Sequence, residues 1–299
     1  MKGTGVRSGS EKREGDVTVE EEKRAAKSAQ KEEQAEKGVL MTEGVIWKQI
    51  LIFSLPLLVG NLFQQLYNTV DSIVVGNYVS SQALAAVSTS NSLINLIIGM
   101  FMGISVGASV IISQYYGAKN HKKLSWAVHT CIALSLIGGV GMIVLGVALS
   151  PLILVWMNTP ADVLAESTTY LRIYFCGSLF NIVYNMGSGI LRAVGDSKRP
   201  LYFLIAASLT NVVLDLLFVV GFHWNIAGVA IATVASQGIS AALVMLVLMR
   251  TEEPYRVEAG KIRVEKRMMR RVLAVGIPSG IQQSIISLSN VIVQSNINV

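Results

Sequence analysis

Residues 124–149 read LSWAVHTCIALSLIGGVGMIVLGVAL, a run of 26 positions without a charged side chain. A helix rises 1.5 Å per residue, so about 20 such residues already cross a hydrocarbon core ~30 Å thick. Working outward, comparable runs lie at 49–77, 84–115, 164–190, 200–221 and 227–249, and another begins near residue 272 and is still running at Val299. The expected fold is all-α: a polytopic membrane helical bundle with six complete spans and a seventh cut short. A chain that ends inside a span reads as a fragment or an interrupted frame. The division expected is a charged tail over 1–44, a six-helix unit over 45–250, a basic connection over 251–271 and the start of a second unit over 272–299.

Composition supports a membrane protein over a soluble one. Apolar residues make up 52% of the chain and charged ones 15%, too few to cover a water-exposed surface of this size. The charges are also segregated. Residues 1–40 carry 9 Lys/Arg and 9 Asp/Glu in a low-complexity tail, expected to be disordered, with no apolar stretch that would serve as a cleavable signal. Beyond that tail the basic residues cluster between spans. Lys119, Lys122 and Lys123 follow the second, Arg192, Lys198 and Arg199 the fourth, and eight more lie in 250–271 after the sixth, whereas the loops 78–83, 150–163 and 222–226 carry none. By the positive-inside rule the N-terminus is cytoplasmic and odd-numbered spans run outward. The pI near 9.3 therefore reflects topology, and no nucleic-acid partner is called for. Cys131 and Cys176 lie inside apolar runs as packing residues, and His121, His129 and His223 have no metal-ligand spacing. No phosphate-binding loop or nucleophile motif is present, so neither an enzyme nor a bound cofactor is expected.

Charged groups inside spans are costly and mark function or pairing. Asp71 lies seven residues before Tyr78 at the outer end of span one, and Asp215 seven before Phe222 at the outer end of span five. Both therefore sit roughly 10 Å below the outer surface, in one layer. Asn211 lies one turn from Asp215 on the same face, and Thr233, on a span that enters from outside, reaches the same depth. Two carboxyls, an amide and a hydroxyl are hard oxygen donors suited to Na⁺ or to a shared proton. Arg172, near the outer end of span four, is placed to snorkel to the interface. Pro56 removes a backbone bond in span one and permits bending there. Gln64, Gln65, Tyr67 and Asn68 on span one, with Asn181, Tyr184 and Asn185 on span four, suggest a wet internal cavity, and interhelical hydrogen bonding would explain them equally well. Gly99, Gly103 and Gly107 form a small-residue ridge on span two that permits close helix contact. Sliding the chain by 222 residues sets Pro278 on Pro56 and Asn290 on Asn68, a faint parallel repeat that predicts a second six-helix bundle.

Three stretches carry a family resemblance. Val70-Asp71-Ser72-Ile73-Val74-Val75-Gly76, followed by Ala83-Leu84-Ala85-Ala86-Val87, resembles the first-span signature of the MATE (multidrug and toxic compound extrusion) transporters. Ile190-Leu191-Arg192-Ala193-Val194-Gly195-Asp196-Ser197-Lys198-Arg199-Pro200 resembles their loop between spans four and five, and Asn211-Val212-Val213-Leu214-Asp215 their fifth-span Asn-x-x-x-Asp. The resemblance runs from about residue 45 to 299. It implies half of a two-lobe, twelve-helix antiporter of the plasma membrane, exporting small organic compounds, cationic ones among them, against inward Na⁺ or H⁺. It assigns Asp71, Asn211, Asp215 and Thr233 to a cation site, Pro56 to bending, and Tyr170 to the cavity. Two other readings are a lipid-linked saccharide flippase, which would line its cavity with several Arg or Lys, and an inactive truncated membrane protein.

Overall fold

Each apolar run becomes one long helix. In the computed structural model, which describes residues 45–156 and 159–297, these are α1 (Ile46–Tyr78), α2 (Ser81–Gly117), α3 (His121–Trp156), α4 (Ala161–Ala193), α5 (Lys198–Asp215), α6 (Asn225–Arg250) and α7 (Lys266–Ile297). Immediately after Asp215, α5 widens into a π-helix over Leu216–Gly221. No strand occurs among the described residues. The charged tail lies outside them.

Five stretches are long and apolar enough to cross a membrane: 47–78, 97–117, 121–156, 198–221 and 225–250. α4 is as long as α1 but falls short in apolarity, because its buried face carries Ser167, Tyr170, Tyr174 and Ser178. It packs chiefly against α3, α6 and α2, so protein covers the polar face that lipid would not. α7 begins with Lys266, Arg267, Arg270 and Arg271 and becomes apolar only beyond them.

The helices alternate in direction, so the connections after α2, α4 and α6 gather at one end, here the basic end. Local chemistry explains two of the turns. Ser80 accepts from the Ala83 N–H at 2.9 Å and caps α2. After α4 the chain reverses through Gly195, whose φ of 93° is the left-handed conformation that only glycine adopts without strain. Asp196 then accepts from the Arg199 N–H at 3.1 Å to start α5, and pairs with the Arg199 guanidinium at 3.4 Å.

Two apolar clusters close the bundle at its ends. At the basic end Ile112, Leu124, Ile132, Ile190, Leu191 and Leu248 are buried together. At the far end Val75, Leu154, Leu171, Phe175, Val219 and Val229 are. The segment joining α6 to α7 is packed against α3. His129 donates from Nδ1 to the Ser125 carbonyl at 2.7 Å and accepts at Nε2 from the Glu258 N–H at 3.0 Å. Thr130 accepts from the Glu265 N–H at 3.2 Å, and Tyr255 and Val257 enter the basic-end core. This strap delivers α7 onto α2, the most extensive helix pairing in the bundle. There Gly103 and Gly107 of α2 meet Gly276 and Gly280 of α7 backbone to backbone.

Candidate functional site

Between the two apolar clusters a cavity of about 520 Å³ runs along α1, α4, α5 and α6. Its lining follows from helical periodicity. On α1, Pro56, Gly60, Gln64, Asn68 and Asp71 recur every three or four residues, and on α4 Tyr170, Tyr174, Asn181 and Asn185 follow at spacings of four, seven and four. α5 adds Ser208 and Asn211, and α6 adds Thr233, Ser236 and Gln237. These stripes face one another across the interior, where each polar group either finds a partner or meets water. Asn185 donates to the Asn181 side chain at 2.9 Å, and Gln237 to the Tyr174 hydroxyl at 3.3 Å.

At the far end of this cavity stand the carboxyls of Asp71, 7% exposed, and Asp215, fully buried. The Asn211 amide lies between them: oriented to donate, its nitrogen is 3.1 Å from Asp71 Oδ1 and 3.3 Å from Asp215 Oδ2. Asp215 Oδ1 is buried without a hydrogen-bond partner, and neither carboxyl takes part in a salt bridge among the described residues. Two neighbouring buried acids with no basic partner among the described residues repel when both are charged, so the arrangement suits a proton or a cation held between them. Thr233 is 1% exposed; its hydroxyl donates to the Val229 carbonyl at 3.0 Å, which leaves the oxygen lone pairs available. Among the described residues no cluster of His, Cys, Asp and Glu has the make-up of a transition-metal centre. The donors here are oxygens, as alkali cations prefer.

Asp71 and Asp215, singled out by charge and depth, and Asn211, by its helix face, meet in space, and Thr233 lines the same cavity. So do Pro56, Asn68, Tyr170, Asn181 and Asn185. α1 runs as an unbroken helix through Pro56. Gln65 is a correction: it is exposed and outside the cavity, where its side chain accepts from Asn68 at 3.4 Å. At about 100° per residue it lies roughly 120° from Asp71 around the helix, whereas Gln64 lies within about 20° and takes the lining position. Arg172 is exposed and away from the cavity. The cation that does line it is Arg192, at the basic end. Tyr174, Ser236 and Gln237 belong to the lining without having been singled out from sequence.

The comparisons with known proteins agree with this geometry. A family model described as MatE matches residues 56–217. The probable multidrug resistance protein YpnP of Bacillus subtilis is 31% identical over 258 residues, covering 86% of this chain and 57% of that protein. The multidrug export protein MepA of Staphylococcus aureus is 26% identical over 238 residues, covering 78% and 52%. A solved outward-facing multidrug resistance MATE family transporter of the MOP superfamily superposes with a TM-score of 0.77 at 27% identity, covering 83% of this chain and 55% of that one. The chain thus spans about half the length of these relatives. Motifs, helix order and a family match over more than half its residues lead to one conclusion: the chain belongs to the MATE family of membrane transporters.

Proposed function

We propose that this chain supplies the first six-helix lobe (45–250), the basic inter-lobe linker (251–271) and the opening of the second lobe (272–299) of an antiporter. That antiporter exports drugs or other organic compounds across the cytoplasmic membrane in exchange for inward Na⁺ or H⁺. The observation that carries the reading is the buried Asp71–Asp215 pair, bridged by Asn211 and lacking a basic partner, at one end of a long amide- and phenol-lined cavity. The basic end faces the cytoplasm, as the distribution of Lys and Arg requires, and the N-terminus lies on that side.

In this mechanism Asn211 serves both states of the site. With a proton between the carboxyls, its amide nitrogen donates to them. Turned about, it presents its oxygen to a Na⁺ that Asp71 and Asp215 neutralise, and Thr233 adds a hydroxyl. Loading the site removes negative charge from the end of the cavity. A cationic substrate held by the same charge is thereby released, and the two ligands exclude each other, as exchange requires.

Two measurements test this reading. The first uses a transporter containing this chain, reconstituted in liposomes with an imposed Na⁺ or pH gradient. Gradient-dependent movement of a cationic dye is expected; flipping of an anionic glycolipid with no dye movement would overturn it in favour of the flippase. With Arg192 as the one cation in its lining, the cavity offers too little positive charge to suit an anionic headgroup. The second identifies the ion by thermal unfolding in Na⁺ against choline, at pH 5.5 to 8. A Na⁺-selective rise lost in Asp215→Asn makes Na⁺ the coupling ion, and a pH dependence lost in the same variant makes it H⁺. Neither effect would leave the pair a structural feature.

A further inference from the structure

A second cavity, of about 410 Å³, opens at the basic end, between the first turns of α3 and the strap. It is separate from the Asp71 cavity, sharing no lining residue with it. Lys122 enters it from α3, and Lys261 and Arg263 from the strap; its acidic member is Glu265. That carboxylate is already engaged, accepting from the Met268 N–H at 2.7 Å at the start of α7. Lys261 is matched by Glu258 at 2.7 Å, a contact that holds the Glu258 carboxyl below its ordinary range. Lys122 and Arg263 have no carboxylate partner among the described residues. The pocket therefore holds two cations, from two different elements, that make no ion pair among the described residues, with Glu265 as the one acid beside them.

Lys122, Lys261 and Arg263 are themselves exposed, but the pocket they edge has a built floor. His129 and Thr130 are buried behind it, and both are occupied in fixing the strap. Trp126 forms one side, with the Lys122 ammonium 5.3 Å from its ring centroid. The α3 N-terminus adds its own partial positive charge. This is a receptacle for a compact anion with several oxygens, and a phosphodiester fits in size and charge.

We propose that the pocket binds the headgroup phosphate of an anionic phospholipid. Two features favour a lipid over a soluble phosphate. Trp126 is an interfacial side chain at the end of a spanning helix. The same face of α3 then exposes Ile137, Val140 and Val144. Ile137 lies eleven residues beyond Trp126, roughly 16 Å deeper, at the level of an acyl chain. The buried Ala133 between them means that chain contact begins at Ile137. A phosphate bridging Lys122 to Arg263 would tie the strap to α3, and so steady the connection that delivers α7.

The test uses the full chain purified in a neutral detergent. Its thermal unfolding is followed at fixed ionic strength with added dioleoylphosphatidylglycerol or dioleoylphosphatidylcholine. The anionic lipid is expected to raise the unfolding temperature above the zwitterionic one. Lys122→Gln with Arg263→Gln should lose that difference and bind the anionic lipid about thirtyfold more weakly, since each basic residue near an anionic surface contributes roughly fivefold. Lys122→Arg with Arg263→Lys keeps the charge and should keep the shift. Arg267→Gln with Arg270→Gln, outside the pocket, should keep it too. An unchanged shift in the pocket variant, or an equal loss in the outer pair, would overturn the proposal. So would inorganic phosphate reproducing the whole shift without lipid.

Discussion

Asp71→Asn, made in a transporter that contains this chain, is expected to abolish ion-driven export while leaving the protein folded. The substitution keeps the shape of the side chain and removes its charge. A bound Na⁺ would then face one carboxylate where it had two, and a shared proton would lose one of its two acceptors. A charge-assisted contact is worth about 1.5–3 kcal/mol, or one to two decades in an equilibrium or a rate. Because exchange depends on this site at every turnover, the drop should be about ten- to a hundredfold. Stability should move the other way or not at all. Asp71 meets Asp215 with no basic partner among the described residues, so removing one acid relieves repulsion and breaks no ion pair. Dye efflux under an imposed gradient and thermal unfolding, read on the same preparation, check both halves. Export within twofold of wild type would remove the carboxyl pair from coupling. A collapsed unfolding temperature would make Asp71 a structural residue.

Much of this site was legible because a membrane span leaves few reasons to hold a charge. The order of Asp71 and Tyr78, and of Asp215 and Phe222, sets depth directly through the helix rise, and equal depth on two spans is what lets side chains meet. The amides were legible as a wet interior but not as a precise stripe. Gln64 and Gln65 are adjacent in sequence and 100° apart on the helix, so the choice between them depends on how α1 is rotated against α5 and α6. Tyr174 inside an apolar run reads as packing; its significance lies in Gln237, 63 residues away on another helix. Arg192 reads as one of the basic residues that set topology. Seven residues beyond Asn185, it falls on the same face of α4 and so reaches the cavity, while the more conspicuous Arg172 is exposed.

The spans were equally legible, and the helices extend only a few residues past each apolar run. What pairs with what was not. The ridge of Gly99, Gly103 and Gly107 announced a close neighbour without identifying it. The neighbour is α7, more than 150 residues later, and Gly276 and Gly280 are its matching positions. Nor did the basic stretch after α6 look like anything but a linker. Its fixed course depends on two backbone hydrogen bonds to His129 and Thr130, residues that resemble ordinary polar interruptions of an apolar run.

Gly103→Leu is therefore expected to separate α7 from α2. A Cβ added at Gly103 would lie 2.0 Å from the Gly280 nitrogen and 2.1 Å from its Cα, and one at Gly107 would lie 2.5 Å from the Val272 carbonyl oxygen. These obstacles are backbone, so no rotamer change relieves them and the helix axes must move apart. The loss then extends along the whole contact, where close packing is the main source of attraction between helices in lipid. Overpacking a core commonly costs about 1–3 kcal/mol; a clash with backbone at a central contact should reach the top of that range or exceed it, already with Gly103→Ala. Gly141 is the control, since nothing lies within 4 Å of its added Cβ. Gly141→Ala should be neutral or stabilising by up to about 1 kcal/mol, from helix propensity alone. Unfolding in mixed micelles of mild and denaturing detergent ranks the three variants. Trypsin cleavage at Arg256–Arg267 gives an independent reading, because a strap that no longer holds α7 in place should be cut sooner. Wild-type stability and cleavage in Gly103→Leu would mean that α7 does not rest on α2, and α7 would have to be joined to the other helices by the strap alone.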